Sequence, residues 1–296
     1  MKTFLALTKR NIKVFFKDKG MFFVSLITPV ILLVLYATFL ASVYRDSVAS
    51  ALNGFPVSDE LINGIVGSEL FSSLLAVSCV TVAFCSNLLM VNDKVNGARK
   101  DMMITPVKKS AVAVSYFAAS LASTLIVSFV ACAACFIYIA ATGWYFSFGD
   151  VMLIILDVIL LTAFGIAISS VINVFLSSQG QASAVGTIVS AGYGFVCGAY
   201  MPISSFATGL QNVLMFLPGT YGTSLIRTHA LNGAMRELAA TGAPVELIDG
   251  LKSGLDCTLE FFGHTVSVGA MYGVLIGSTV LFIGAYILIN ILKKPR

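Results

Sequence analysis

The amino-acid sequence predicts an all-α integral membrane protein, with six transmembrane helices in a single domain over residues 1–296. Three observations support this fold class. Of the 296 residues, 58% are hydrophobic and only 11% are charged, whereas soluble domains carry about a quarter charged residues because water must solvate their surfaces. The mean hydropathy is +0.94. The apolar residues also fall into segments of roughly 20, the length that crosses a bilayer as a helix.

Residues 1–20 predict a cytoplasmic helix that lies on the inner membrane surface. Apolar and basic side chains alternate there at helical spacing, which gives one apolar and one cationic face. The apolar side chains are Phe4, Leu5, Ile12, Phe15 and Phe16. The alternative is a basic flank that only sets the direction of the first span, and the two interpretations are compatible.

Six apolar segments predict spans at about 21–43, 69–91, 111–140, 151–176, 181–200 and 266–291. The fourth contains one acid, Asp157, about seven residues from its start. An ionisable group at that depth is costly and often functional. Asp157 could bind a cation or a substrate, pair with a polar partner in the bundle, or lie close enough to the interface to stay hydrated.

The basic residues predict that both termini are cytoplasmic. Six lie in the N-terminal segment, five in the loop after the second span and three in the C-terminal tail, which makes 14 of the 18 lysines and arginines. The acids show the opposite bias. Those assigned to the outer side are Asp46, Asp59, Glu60, Glu69, Asp150, Glu237, Glu246, Asp249, Asp256 and Glu260.

Two segments are neither spans nor plain loops. Residues 92–110 form the longest cytoplasmic connection and include the apolar cluster 102–104, which predicts a short helix that contacts a cytoplasmic partner; the alternative is a helix resting on lipid headgroups. Residues 201–265 form an outer region in which the apolar stretch 206–217 is too short to span and is bracketed by Pro202 and Pro218. That length is typical of a re-entrant helical element between spans five and six.

The sequence contains no signature of an enzyme. It has no phosphate-binding Gly-x-x-x-x-Gly-Lys-Ser/Thr loop and no His-Glu-x-x-His motif. His229 and His264 are expected near the outer face as interfacial hydrogen-bonding residues rather than catalytic bases. The six cysteines are expected to be structural or incidental, since they lack the His or carboxylate neighbours of a metal site. We expect no bound cofactor, no metal and no nucleic-acid partner.

At this point the pattern resembles the membrane (permease) subunit of a bacterial ATP-binding cassette (ABC) transporter of the type-2 exporter class. A basic amphipathic segment precedes six spans. The loop after the second span resembles the coupling segment of that family, with residues 93–97 followed by Met102-Met103-Ile104-Thr105-Pro106-Val107. The family usually opens this segment with glutamates, whereas here it opens with Asn92-Asp93.

A third feature of the resemblance follows the fifth span. The family has Gly-x-x-x-Pro, an apolar run, Pro-x-x-Tyr and then an arginine. The matching residues here are Gly198, Pro202, Pro218, Tyr221 and Arg227. The segment 228–265 is longer than expected for a minimal member, and its role stays open.

The resemblance implies a homodimer or heterodimer of such permeases in the cell membrane, each paired with a separate ATPase subunit that binds ATP and Mg. ATPase contacts would come from the coupling segment and an outer gate from the element after span five. The implied coupling residues are Asp93, Lys94, Gly97, Arg99, Lys100, Met102, Met103, Ile104, Thr105 and Pro106. The implied gate residues are Pro202, Pro218, Tyr221 and Arg227. Spans two and five would line a pathway between the subunits, with small residues at Gly186, Ser190, Ala191 and Gly194 in the fifth span.

The substrate expected from the scarcity of charge in the spans is lipophilic or amphipathic, as in multidrug or lipid efflux. The main alternative is a secondary transporter or channel that needs no ATPase. Inverted repeats and several intramembrane charges would favour that alternative, and neither is evident in the sequence.

Overall fold

The structure, a computed structural model, describes residues 2–52, 54–104 and 107–292. These residues form 13 α-helices and one two-stranded hairpin, which confirms the all-α class. The helices are α1 Lys2–Lys17, α2 Lys19–Leu35, α3 Ala41–Ala51, α4 Asp59–Asn87, α5 Leu89–Val95, α6 Ala98–Ile104, α7 Lys109–Thr142, α8 Phe148–Phe175, α9 Gln179–Val196, α10 Thr208–Leu214, α11 Pro218–Ala240, α12 Val245–Gly254 and α13 Val268–Leu292. The antiparallel strands are β1 Leu259–Phe261 and β2 His264–Val266.

Within this described part of the chain, five helical stretches are long and apolar enough to cross a membrane. They are Lys19–Ala51, Asp59–Val95, Lys109–Ala141, Phe148–Phe175 and Val268–Leu292. Each contains or closely overlaps a predicted span. The first is longer than predicted because a π-helical turn, Tyr36–Leu40, joins α2 to α3 without a break.

The remaining predicted span, 181–200, corresponds to α9. This helix has 18 residues, but its glycines, serines and two glutamines make it less apolar than the other five. The count of six spans therefore stays a prediction.

Helix starts follow capping signals in the sequence. Asp18 accepts a hydrogen bond from the backbone N–H of Met21 at the start of α2, and Ser58 accepts one from Leu61 at the start of α4. Side-chain oxygens at this position satisfy backbone donors that have no partner within the helix. Because Ser58 sets the start of α4, this helix begins ten residues before the predicted start of the second span.

Helix α4 lies at the centre of the bundle and packs against α2, α3, α7, α8, α9 and α11. In its most apolar stretch, 94% of the residues are buried, against 24% in the first candidate span and 17% in α13. The centre of the bundle is therefore α4, while α2 and α13 present apolar surfaces outward.

Helix α11 is a 23-residue buried helix in the region predicted to be a mixed outer loop. Two glycines allow its close packing: a Cβ at Gly222 would lie 2.6 Å from Leu161 of α8, and one at Gly233 would lie 2.1 Å from the backbone oxygen of Tyr145. Since Tyr145 precedes α8 and Leu161 is near its middle, α11 runs from the middle of the bundle to one end. That this path dips into the bilayer stays a prediction.

We call the end of the bundle that carries α5 and α6 the inner end. The opposite end, which carries the 3-10 turn Ile203–Ser205 and Asp256, is the outer end.

Candidate functional site

The predicted coupling segment consists of α5, a turn at Gly97 and α6. Gly97 has a positive φ of 81°, a conformation that glycine adopts at little cost. Thr105 and Pro106 lie outside the described residues. The other predicted coupling residues separate into side chains bonded inside the protein and side chains at the surface.

Asp93 is buried and links three helices. It accepts a hydrogen bond of 2.7 Å from the hydroxyl of Tyr116 on α7 and pairs with Arg10 on α1. The hydrogen bond to Asp93 raises the pKa of Arg10, against the lowering effect of burial. Because charge-assisted hydrogen bonds are the stronger kind, this pair fixes α1 to the start of the coupling segment.

Lys94 binds the end of α8. Its Nζ donates to the backbone oxygens of Asn173 (3.2 Å) and Val174 (3.0 Å), and to that of Leu176. The last carbonyls of a helix have no partner within the helix and carry partial negative charge, so a lysine ammonium there is stabilising.

Arg99 connects α6 to the last helix, donating from Nη2 to Oδ1 of Asn290 on α13 at 3.0 Å. Met102 and Met103 are half-buried against the apolar cluster around Tyr116. Lys100 and Asp101 are exposed, and Ile104 is 83% exposed. The segment therefore has side chains bonded to α1, α7, α8 and α13 on one side and an accessible surface on the other.

A second candidate site, which we call the Arg227 cluster, lies at the outer end. Arg227 of α11 is fully buried. Its Nη2 lies 2.8 Å from Oε1 of Glu69 and donates to Ser73 Oγ at 3.0 Å and to the Gly198 oxygen at 2.8 Å. Its Nη1 lies 3.4 Å from Oδ2 of Asp256. Arg227 thus connects α4, the end of α9 and the loop before β1.

Asp256 holds the outer turn in place. Its carboxylate accepts hydrogen bonds from the backbone N–H groups of Ile203 and Ser204. Burial raises the pKa of Asp256, and the Arg227 charge opposes that rise. The same carboxylate therefore binds the turn after Pro202 and the guanidinium of α11.

The four predicted gate residues lie just before the 3-10 turn and in the first half of α11. Pro202 precedes the 3-10 turn. Pro218 occupies the first turn of α11, where a backbone N–H would have no hydrogen-bond partner within the helix, so that proline is tolerated there. Tyr221 donates to the Met215 oxygen at 2.7 Å, which braces α11 against the end of α10. Arg227 is the only one of the four with charged partners among the described residues.

One sequence-based expectation about this end was wrong. His229 is not interfacial: it is buried, with Nδ1 2.6 Å from Oδ2 of Asp157. Glu69, predicted at the outer end of the second span, lies inside α4 with 1% of its surface exposed, next to Arg227, a partner that was not predicted. In both cases the partner is a charged group on another helix, and the linear sequence gives no signal of such pairing. His264 is exposed, on β2.

Asp157 is paired inside the bundle, the second of its three predicted alternatives. Besides His229 of α11, it accepts a hydrogen bond of 2.6 Å from the Tyr272 hydroxyl of α13. Both carboxylate oxygens have partners, so Asp157 joins α8, α11 and α13.

The other carboxylate on α8, Asp150, was predicted only to lie on the outer side, and its partners were not predicted. It forms a capping box with Ser147 at the start of α8 and pairs with Arg236 of α11. The spacing Ser147-x-x-Asp150 was a readable sign of the capping box. The described residues contain no group of three or more His, Cys, Asp or Glu that could hold a metal ion.

An open groove of about 1040 Å³ lies between α2 and α9. Its lining is mainly apolar from α2 and small or polar from α9, including Gly186, Thr187, Ser190 and Ala191. Only the inner end of the second span contributes, through Cys85, Leu88 and Asn92. Neighbouring helices bury the rest of α4, and the expectation that spans two and five line a pathway between subunits stays a prediction. Gly194 packs against Tyr200 instead.

The chain matches the family described as ABC-2 type transporter over residues 2–230. The match begins in α1 and ends within α11, so it includes the coupling segment and Arg227 but not Asp256. A comparison with curated proteins finds no match.

Proposed function

The chain belongs to the ABC-2 type transporter family, and from that premise we propose that this permease subunit works in an ATP-driven exporter with a separate ATPase. ATP and Mg would bind the ATPase. The exporter would move a lipophilic or amphipathic substrate out of the cell across the plasma membrane.

The observation that carries this proposal is the two-sided character of the coupling segment. Asp93, Lys94 and Arg99 bond it to four helices of the bundle, while Lys100, Asp101 and Ile104 face outward. A segment that receives force from a partner needs both properties: an accessible docking surface and rigid links to the elements that move. A loop that only connected two spans would need neither.

At the outer end, the proposal assigns the gate to residues 202–227. The gate would open as a unit, because Asp256 binds both the 3-10 turn and Arg227. Movement of α11 would separate Arg227 from Glu69 on the central helix α4. Such a step requires that a second arrangement of the cluster be within a few kcal/mol of this one.

The groove between α2 and α9 supports the pairing with a second permease. Asp18, at the start of α2, is the only charged residue among the described residues that line it. The rest of the wall favours a lipophilic substrate, because a charged one would lose hydration without a counter-charge. In a dimer, two such grooves would face each other and enclose a shared pathway.

The test is copurification of an ATPase with the tagged chain, expressed with its neighbouring genes. Exchanging the exposed charges with Lys100→Glu and Asp101→Lys, together with Ile104→Ser, is expected to abolish copurification. The matched control exchanges charges at the outer end, with Asp249→Lys, Lys252→Glu and Val245→Ser, and keeps the ATPase bound.

Two outcomes would contradict the proposal. If no ATPase copurifies with the native chain and the chain is stable alone, a secondary transporter or channel becomes the better function. If the outer control removes the ATPase as completely as the inner variant, the coupling segment is not its docking site.

A further inference from the structure

The outward side of α1 carries a row of lysines that form no ion pair with any described residue. Lys9, Lys13 and Lys17 recur every four residues, so they lie along one face of the helix, and all three are exposed. Among the described residues, no carboxylate lies within ion-pair distance of any of them; the one ion pair of α1 uses Arg10. Like charges at this spacing destabilise a helix, so an external anion would stabilise the row.

The orientation of this row is fixed by the opposite side of α1. Asn11 and Phe15 are buried, Phe15 packs with Val82 and Val127, and Arg10 pairs with Asp93. Since α1 packs along α7, it cannot rotate about its axis to move the lysines elsewhere.

A separate apolar stripe runs beside the lysines. Leu5 is 57% exposed and Phe16 is 37% exposed. At the junction with α2, the ring of Phe16 lies 5.9 Å from that of Phe22, and the next residue, Phe23, is 63% exposed. Exposed aromatic and aliphatic side chains next to lysines are typical of a helix at the boundary between acyl chains and headgroups.

The lysine row borders a groove. An open groove of about 540 Å³ is lined by Arg10, Lys13, Val14, Lys17 and Asp18. Asp18 is the cap of α2, so one of its oxygens is already bonded. The groove lies where the first candidate span begins, on the side that the charge bias predicts to be cytoplasmic.

From these observations we propose that α1 binds an anionic phospholipid, with the headgroup phosphate between Lys13 and Lys17 and an acyl chain along Phe16 and Phe23. A negatively charged lipid supplies both the missing counter-charge and the apolar contact, whereas a soluble anion supplies only the first and a neutral lipid only the second. This interaction does not depend on an ATPase partner or on the direction of transport.

The experiment titrates the purified chain in detergent with phosphatidylglycerol or phosphatidylcholine and counts bound lipids by native mass spectrometry. Phosphatidylglycerol is expected to bind more tightly. Replacing both lysines with Lys13→Gln and Lys17→Gln should weaken its binding by roughly 30-fold, since each lysine near an anionic surface contributes about a factor of five. Phosphatidylcholine binding should not change.

Two matched variants test whether lipid binding depends on these two lysines or only on the total charge of the protein. Lys13→Arg with Lys17→Arg keeps the charge and should keep the binding. Lys100→Gln with Lys108→Gln removes two exposed lysines elsewhere and should also keep it. Equal binding of the two lipids, an equal loss in the Lys100/Lys108 variant, or displacement of the lipid by inorganic phosphate would each overturn the proposal.

Discussion

At the scale of single residues, the outer end depends on the balance of charge around Arg227. Two carboxylates, Glu69 and Asp256, share this one guanidinium, and all three side chains are buried. Removing one partner of a buried pair leaves an uncompensated charge, which typically costs about 3–5 kcal/mol. We therefore predict that Arg227→Ala lowers the free energy of unfolding by about that amount, measured as a fall in the thermal midpoint in mild detergent.

The control for this prediction is Arg45→Ala. Arg45 pairs with Asp59 at 2.7 Å, but both side chains are substantially exposed, and surface pairs contribute at most about 1 kcal/mol. Glu69→Gln should lower the free energy of unfolding less than Arg227→Ala does, because Asp256 still pairs with Arg227. Similar midpoints for Arg227→Ala and Arg45→Ala would show that the buried cluster does not stabilise the fold.

The sequence could identify some of these residues but not their partners. Asp157 was singled out because a lone acid inside an apolar span is costly, and Arg227 because of the resemblance. The partner of Glu69 and the buried position of His229 were not predicted, since both depend on a charged group from a helix far along the chain: Glu69 and Arg227 are separated by 158 positions in the sequence. Charge patterns along one segment contain no information about such pairing.

At the scale of elements, the same limit explains why α11 was missed. A helix exposed to water on one side shows an apolar stripe, and a helix exposed to lipid is apolar throughout. Helix α11 is neither, because protein surrounds it and its polar side chains pair with Asp150, Asp157 and Glu69. The five strongly apolar helices were predicted within a few residues at most ends, since a long apolar run is recognisable in the sequence whether the helix faces lipid or, as α4 does, lies at the centre of the bundle.

One element-scale prediction concerns the end of α8. Lys94 donates to backbone oxygens at the last turn of α8, and hydrogen bonds from charged donors contribute about 1.5–3 kcal/mol in favourable cases. Lys94→Met should therefore let this turn open more easily. Hydrogen exchange of residues 173–176 should become about tenfold faster or more.

Lys100→Met is the matched control for this variant, because Lys100 is exposed at the next part of the same segment. It should leave the exchange of residues 173–176 unchanged while weakening ATPase binding. If Lys94→Met has no effect on exchange, the coupling segment is not mechanically joined to α8 through this side chain.

At the scale of the whole molecule, the groove between α2 and α9 differs in shape from the other apolar surfaces of the bundle. Most outward surfaces carry large side chains, as lipid-facing helices do, but the α9 side of the groove has small ones. A Cβ at Gly186 would meet no atom within 4 Å. Small residues on an exposed membrane helix permit close approach of another helix, and this favours a second permease over lipid as the neighbour.

This reasoning gives a prediction about subunit contact. In a two-fold symmetric dimer, the same surface of each subunit meets its copy, so a cysteine on the α9 side of the groove should come close to its counterpart. Thr187→Cys is expected to form disulfide-linked dimers in membranes under mild oxidation. The six native cysteines, all buried, are expected to contribute little to this crosslinking.

The control is Ile137→Cys on α7, where the side chain of Ile137 is 73% exposed. This variant should remain monomeric on a non-reducing gel. Equal crosslinking at both positions would indicate random collision, and crosslinking at Ile137 alone would place the subunit interface on α7 instead.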